Sequence, residues 1–77
     1  MKKYCVCLVN DTEGKDLIPM SLEWDNYLKS YWFCINDNIS VFHWKAAQRM
    51  IKKFGHIGGT GNNQYKIVRV YHKRNLV

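Results

Sequence analysis

The sequence predicts a small α+β domain: an antiparallel sheet of three to four strands with one amphipathic helix packed on one face, in the order β-β-β-α-β. Three observations lead to this prediction. Four segments are rich in β-favouring residues or alternate with period two, and one segment repeats its apolar residues at the helical period. The chain has 77 residues, and a chain of this length buries too little surface to build two cores. Residues 1–77 are therefore predicted to be a single domain.

The first strand is predicted for residues 2–9, "KKYCVCLV". Its alternate side chains are apolar on both sides, with Tyr4, Val6 and Leu8 on one side and Cys5, Cys7 and Val9 on the other. An inner strand is expected, because apolar groups on both sides need cover on both sides. Residues 10–15, "NDTEGK", have turn chemistry in which Gly14 supplies a positive φ, so the chain should reverse there.

A second strand is predicted for residues 17–24, "LIPMSLEW", where apolar residues alternate along the whole segment. Pro19 cannot donate a hydrogen bond to a neighbouring strand, which places this strand at a sheet edge. A competing interpretation begins a short helix at Ser21 and continues it through "LEWDNYL". The third strand is predicted for residues 30–37, "SYWFCIND", and ends in the turn cluster of Asn36, Asp37 and Asn38.

The next segment changes to the helical period and predicts an amphipathic helix of about three turns. One arc of this helix is apolar, formed by Trp44, Ala47, Met50, Ile51 and Phe54, and the opposite arc is basic. Gly55 is predicted to end the helix with a positive φ. A loop at residues 56–64 then leads to a last strand at residues 65–73, "YKIVRVYHK".

Positive charge is concentrated in the second half of the chain. The net charge is +6. Residues 1–38 contain four lysines and six acids, whereas residues 39–77 contain eight lysines and arginines and no acid. Such asymmetry favours polyanions or acidic protein surfaces as partners, although a solvated basic face that only keeps a small protein in solution has the same composition.

The residues predicted to contact a partner are cationic or aromatic and lie on the helix and on two strands: Lys45, Arg49, Lys52, Lys53, Lys66, Arg69, Trp32 and Trp44. The helix cations repel one another and no glutamate four residues earlier relieves them, which favours an external anion. Trp32 and Trp44 are predicted aromatic anchors, because tryptophan is enriched at binding hot spots. Packing in the core is the other interpretation of these aromatic residues.

No catalytic, metal or cofactor site is predicted. The chain has an odd number of cysteines, and their spacing is not that of zinc ligands. Reduced and buried thiols are therefore expected for Cys5, Cys7 and Cys34. The loop "GGTGNN", residues 58–63, follows a helix and leads into a strand, whereas a phosphate-binding loop opens a helix. No nucleophile, base and orienting group form a recognisable set, so the protein is predicted not to be an enzyme.

The sequence also predicts a soluble cytoplasmic protein without a membrane partner. No run of about 18 to 20 apolar residues is long enough to span a bilayer. The first residues, "MKKYCVCLVNDTEG", lack the apolar core and the cleavage site of a signal peptide.

Three segments of residues 30–72, "YWFCI", "VFHWKAAQRMIKKFG" and "YKIVRVY", resemble small accessory proteins of bacteriophages and mobile elements, including anti-CRISPR and other anti-defence inhibitors. The resemblance is a strand, helix, strand pattern and transfers no functional residue. It implies a non-enzymatic protein that docks on and blocks a host defence or nucleic-acid-handling complex, and the basic charge of the chain argues against mimicry of DNA. Direct DNA or RNA binding by the helix and the last strand is the alternative, and homodimer formation stays open.

Overall fold

Five strands and one helix occur in the computed structural model, which describes residues 2–57 and 64–71. In chain order they are β1 (Lys3–Val9), β2 (Leu17–Pro19), β3 (Ser21–Asp25), β4 (Ser30–Cys34), α1 (Trp44–Phe54) and β5 (Tyr65–Val70). An antiparallel sheet has the order β2-β1-β5, and β3 and β4 form a separate antiparallel hairpin. The predicted α+β class, with antiparallel strands and one packed helix, is confirmed. The predictions for the "GGTGNN" loop and for residues 72–73 of the last strand lie outside the described residues.

The segment predicted as one strand at residues 17–24 is extended, but it is divided at Met20 between the two sheets. Its first part, β2, is an outer strand as Pro19 predicts, and its second part, β3, pairs with β4. At the division the Met20 N–H donates to the Val6 carbonyl at 2.9 Å, and the Met20 side chain is buried in the core. The competing interpretation of a helix from Ser21 is wrong, because these residues pair in register with β4.

β1 is the central strand of its sheet, as its two apolar sides predict. The turn after it also forms as predicted, with Gly14 at φ 73°. The carboxylate of Asp11 accepts hydrogen bonds from the backbone N–H groups of Lys15 and Asp16 at 3.0 and 3.1 Å, which closes the turn. This fixes the register in which β2 returns along β1.

The helix packs on the face of the sheet that carries Val6 and covers it with its apolar arc. The buried centre of the core consists of Val6, Met20, Phe33 and Ala47, with Met50, Ile51 and Phe54 packed against it. Phe33 comes from the hairpin, so one core joins the helix to both sheets. Because the helix is held by this arc, its basic arc faces solvent.

The helix ends differently from the prediction, since Gly55 has φ −63° and not a positive φ. Its N–H still donates to the Ile51 carbonyl at 2.8 Å, so the helical conformation continues through this residue. A Cβ at this position would collide with the Ile51 carbonyl oxygen and would lie 3.3 Å from the Tyr65 ring. The Ile51 carbonyl one turn earlier, together with the neighbouring Tyr65 ring, therefore leaves no room for a side chain at this position.

The single described helix has 11 residues. No helix in residues 2–57 and 64–71 has the length and apolar character that a bilayer span requires.

Candidate partner-binding surface

Four cationic side chains form a stripe along the exposed side of α1. This cationic stripe consists of Lys45, Arg49, Lys52 and Lys53, all of which are exposed. The stripe lies opposite Ala47, which is completely buried, so its direction follows from the packing of the helix. An 11-residue helix is about 16 Å long, so the stripe is a short, dense band of positive charge.

The cationic stripe has no compensating acid in the part of the chain that the structure describes. The one ion pair found there joins Lys15 and Glu13 at 3.5 Å on the β1–β2 turn. The first turn of the helix contains no acid, and the N-cap residue His43 makes no side-chain capping hydrogen bond. Like charges three and four residues apart destabilise a helix by a few tenths of a kcal/mol per pair, and a cation near its N-terminus opposes the helix dipole. The arrangement costs helix stability and leaves four cations free to meet an external anion.

Aromatic side chains border the stripe at the N-terminal end of the helix. Trp44 is 46% exposed, at the margin of the apolar arc, and its ring meets the Tyr4 ring edge-on with 5.2 Å between centroids. Arg69 is directly opposite Tyr4 in the β1–β5 register, so it lies on the helix side of the sheet. Its guanidinium carbon is 4.9 Å from the centroid of the Tyr71 ring. Trp44 and Arg69 thus both lie on the helix side of the sheet, next to or opposite Tyr4.

Lys66 and Trp32, which were also predicted to contact a partner, lie elsewhere. Lys66 is opposite Cys7 in the β1–β5 register, which places it on the sheet face away from the helix. Trp32 is half-buried and opposite Glu23 on the outer face of the hairpin. Its neighbour Tyr31 points to the other face and contacts the helix. The structure therefore groups four of the eight predicted residues in the cationic stripe, with Trp44 at the margin of the apolar arc and Arg69 on the helix side of the sheet.

Sequence reasoning missed a second border of the stripe, at the C-terminal end of the helix. Trp24, Tyr31 and Phe54 form a continuous aromatic ridge, with 5.3 Å between the first two ring centroids and 5.7 Å between the second pair. The Lys53 ammonium nitrogen lies 5.8 Å from the Phe54 centroid, so the ridge meets the stripe. The alternation of side chains along β3 and β4 indicates which residues of each strand share a face. Predicting the ridge also requires the Trp24–Tyr31 pairing, which depends on the length of the turn.

Cys5, Cys7 and Cys34 are free thiols; Cys5 and Cys7 are buried as predicted, whereas Cys34 is only half-buried. The sulfur atoms of Cys5 and Cys7 lie 3.8 Å apart, and both residues are buried. Burial, followed by the hydrogen bond and charge of Cys5, raises the pKa of Cys7 to about 11. Burial, followed by the charges of Glu23 and Asp25, also raises the pKa of Cys34. The raised pKa values keep the Cys7 and Cys34 thiols protonated near neutral pH. Residues 2–57 and 64–71 contain no cluster of three or more metal-ligating side chains.

The raised pKa of Cys7 predicts a loss of stability at alkaline pH. In the unfolded chain the Cys7 thiol ionises near its ordinary pKa of 9.0, whereas in the folded protein it ionises near 11. Its contribution to stability is complete below pH 9 and is lost as the pH rises from 9 to 11, which amounts to about 1 kcal/mol at pH 10. Urea denaturation at pH 8 and pH 10 measures this loss. The Cys7→Ala variant should lose about 1 kcal/mol less than the wild type over the same interval, and an equal loss in both proteins would contradict the assignment to Cys7.

Comparison of the chain with protein-family models, with curated proteins and with solved structures found no match. The functional inference therefore rests on the surface itself.

Proposed function

We propose that this is a non-enzymatic binding protein that docks its cationic stripe on an acidic surface of a larger macromolecular partner and blocks that partner. The observation that carries the proposal is the stripe: four exposed cations on one helix face, with no carboxylate within 4 Å among the described residues. A host defence or nucleic-acid-handling complex inside the cell is the partner class that fits the resemblance to phage and mobile-element accessory proteins.

The position of Lys66 on β5 favours a protein over a long polyanion. Lys66 lies on the sheet face away from the helix, so it cannot extend the stripe along one groove of nucleic acid. The stripe runs from Lys45 to Lys53, about 12 Å along the helix axis, and is bordered by aromatic groups at both ends. Mixed aromatic and cationic surfaces of this size are typical of protein interfaces, where tryptophan, tyrosine and arginine supply most of the binding energy.

Direct binding of single-stranded nucleic acid is a second candidate function. It is favoured by one observation: Arg69 and Tyr71 place a guanidinium group beside an aromatic ring, and Arg69 is on the same side of the sheet as the helix. Unpaired bases stack on such groups while cations contact the phosphates. This candidate predicts binding to generic oligonucleotides at low salt that falls steeply as the salt concentration rises.

A charge-reversal pair tests the proposal. Lys45→Glu with Arg49→Glu should weaken binding to the partner by at least about tenfold, because two attractive contacts become repulsive. The matched control is Lys3→Glu with Lys66→Glu, which changes the net charge equally on the sheet face away from the helix. The measurement is retention of partner proteins from a nuclease-treated lysate of the native host, followed by titration of the retained protein. Equal binding by both double variants would refute the proposal.

The same variant should fold at least as well as the wild type, which separates a binding defect from unfolding. Lys45→Glu puts an acid in the first turn, where the helix dipole favours it, and Arg49→Glu puts an acid four residues before Lys53.

Partners lost on nuclease treatment, together with salt-sensitive oligonucleotide binding by the wild type, would support the nucleic-acid candidate instead. An absence of any oligonucleotide binding at low salt would exclude that candidate.

A further inference from the structure

The turn of the β3–β4 hairpin displays apolar side chains next to the aromatic ridge. Tyr27, in the turn, is 93% exposed, and Trp24, at the base of the turn, is 52% exposed. Leu28 and Tyr31 are also exposed. We call Tyr27 and Leu28 the hairpin tip. Exposed apolar groups that are contiguous, unlike single exposed residues, mark interaction surfaces.

Hydrogen bonds hold the hairpin tip in one conformation. The Asp25 carboxylate accepts hydrogen bonds from the backbone N–H groups of Tyr27 at 2.7 Å and of Leu28 at 3.0 Å. The Lys29 N–H donates to the Asp25 carbonyl at 2.8 Å, and Lys29 has a left-handed φ of 56°. The Trp24 indole N–H donates to the side-chain oxygen of Asn26 at 2.9 Å. A turn fixed in this way presents its side chains with little ordering cost on binding.

The hairpin tip follows Trp24 closely along the chain, and the aromatic ridge runs from Trp24 to the cationic stripe. Trp24 pairs with Tyr31 directly below the turn, Tyr31 contacts Phe54 on the helix, and Lys53 lies beside Phe54. Apolar groups and cations thus form one connected surface. Its chemistry is complementary to apolar side chains with carboxylates beside them.

We propose that the hairpin tip and Trp24 anchor the protein in an apolar cleft bordered by carboxylates on the protein partner that the cationic stripe binds. The inference rests on the proposed function and adds the apolar half of the interface. A second copy of the chain is a poor occupant, because mutual contact of this surface would bring two uncompensated stripes together.

Two synthetic peptides test the inference. They have equal length and equal glutamate content, and their remaining positions are leucine in one peptide and serine in the other. The wild type should bind the leucine peptide about fivefold more tightly, because part of the apolar area of Tyr27 and Leu28 is removed from water. Fluorescence anisotropy of labelled peptides measures both affinities.

Two variants test whether the preference for the leucine peptide depends on the hairpin tip. Tyr27→Ser with Leu28→Ser should lose most of the preference for the leucine peptide, and its fold should persist because the turn is held by backbone N–H groups. Ile35→Ser, at the opposite end of the hairpin and equally apolar, should keep the full preference. Far-UV circular dichroism confirms that each variant is folded.

The outcomes separate this inference from the proposed function. Equal wild-type affinity for the two peptides overturns the anchor and leaves the stripe intact, whereas binding to neither peptide contradicts both proposals. Two results would overturn the assignment of the hairpin tip to a cleft of a protein partner. One is binding to phosphatidylserine vesicles that depends on Tyr27, and the other is self-association in sedimentation experiments that depends on Tyr27.

Discussion

Replacing Phe33 by alanine should lower the free energy of unfolding by about 3 to 5 kcal/mol, the usual cost of deleting a buried aromatic ring. Phe33 is 4% exposed and belongs to the same core cluster as Val6 of the sheet and Ala47 of the helix. Its ring centroid is 5.3 Å from that of Tyr65 on β5. One side chain therefore links the hairpin to the helix and to the other sheet, and its removal weakens all of these contacts.

The expected loss is a large fraction of the stability of a domain of this size. A chain of 77 residues has a free energy of unfolding of about 4 to 11 kcal/mol. Urea denaturation followed by tryptophan fluorescence measures the loss from the shift in the transition midpoint. Tyr27→Ala is the matched control, since it deletes another aromatic ring of the hairpin where the ring is exposed, and it should change the stability by no more than about 0.5 kcal/mol. Similar losses in the two variants would show that the hairpin does not share the core.

The parts of the fold that follow from local patterns could be predicted from the sequence. The central position of β1 follows from its two apolar sides, and the helix follows from the spacing of Ala47, Ile51 and Phe54. The division at Met20 could not be predicted, because alternation runs through residues 17–24 without a break. The division follows from tertiary contacts, because Met20 still pairs with Val6 of β1 and enters the core, whereas Ser21 pairs with Cys34 of β4. Local periodicity carries no record of such a contact.

The candidate site likewise has features that could be predicted from the sequence and features that could not. The cationic stripe could be predicted, because the angular positions of Lys45 and Arg49 depend only on helical geometry. The sides on which Trp32 and Lys66 lie could not, because they depend on strand register and on which sheet face the helix covers. The aromatic ridge required both the hairpin register and the helix position. Sequence patterns therefore predict surfaces within one element better than surfaces shared by several.

Replacing Ala47 by aspartate should lower the free energy of unfolding by at least about 3 kcal/mol, because it places a carboxylate where no water and no cation is available. Ala47 is 0% exposed, and the buried residues around it are apolar. The matched control is Gln48→Asp, which makes the same change in net charge one residue further along the helix, at an exposed position. The carboxylate that this control introduces lies four residues before Lys52, so the control should change the stability by no more than about 0.5 kcal/mol.

This pair of variants also tests the orientation on which the proposed function depends. The cationic stripe faces solvent only if Ala47 faces the sheet, because the two lie on opposite sides of one helix. Urea denaturation of both variants at neutral pH compares the two sides directly. A large loss for Ala47→Asp with a small change for Gln48→Asp places Lys45, Arg49, Lys52 and Lys53 on the accessible side. Equal stability of the two variants would mean that the helix packs through another face, and the stripe would then no longer be a docking surface.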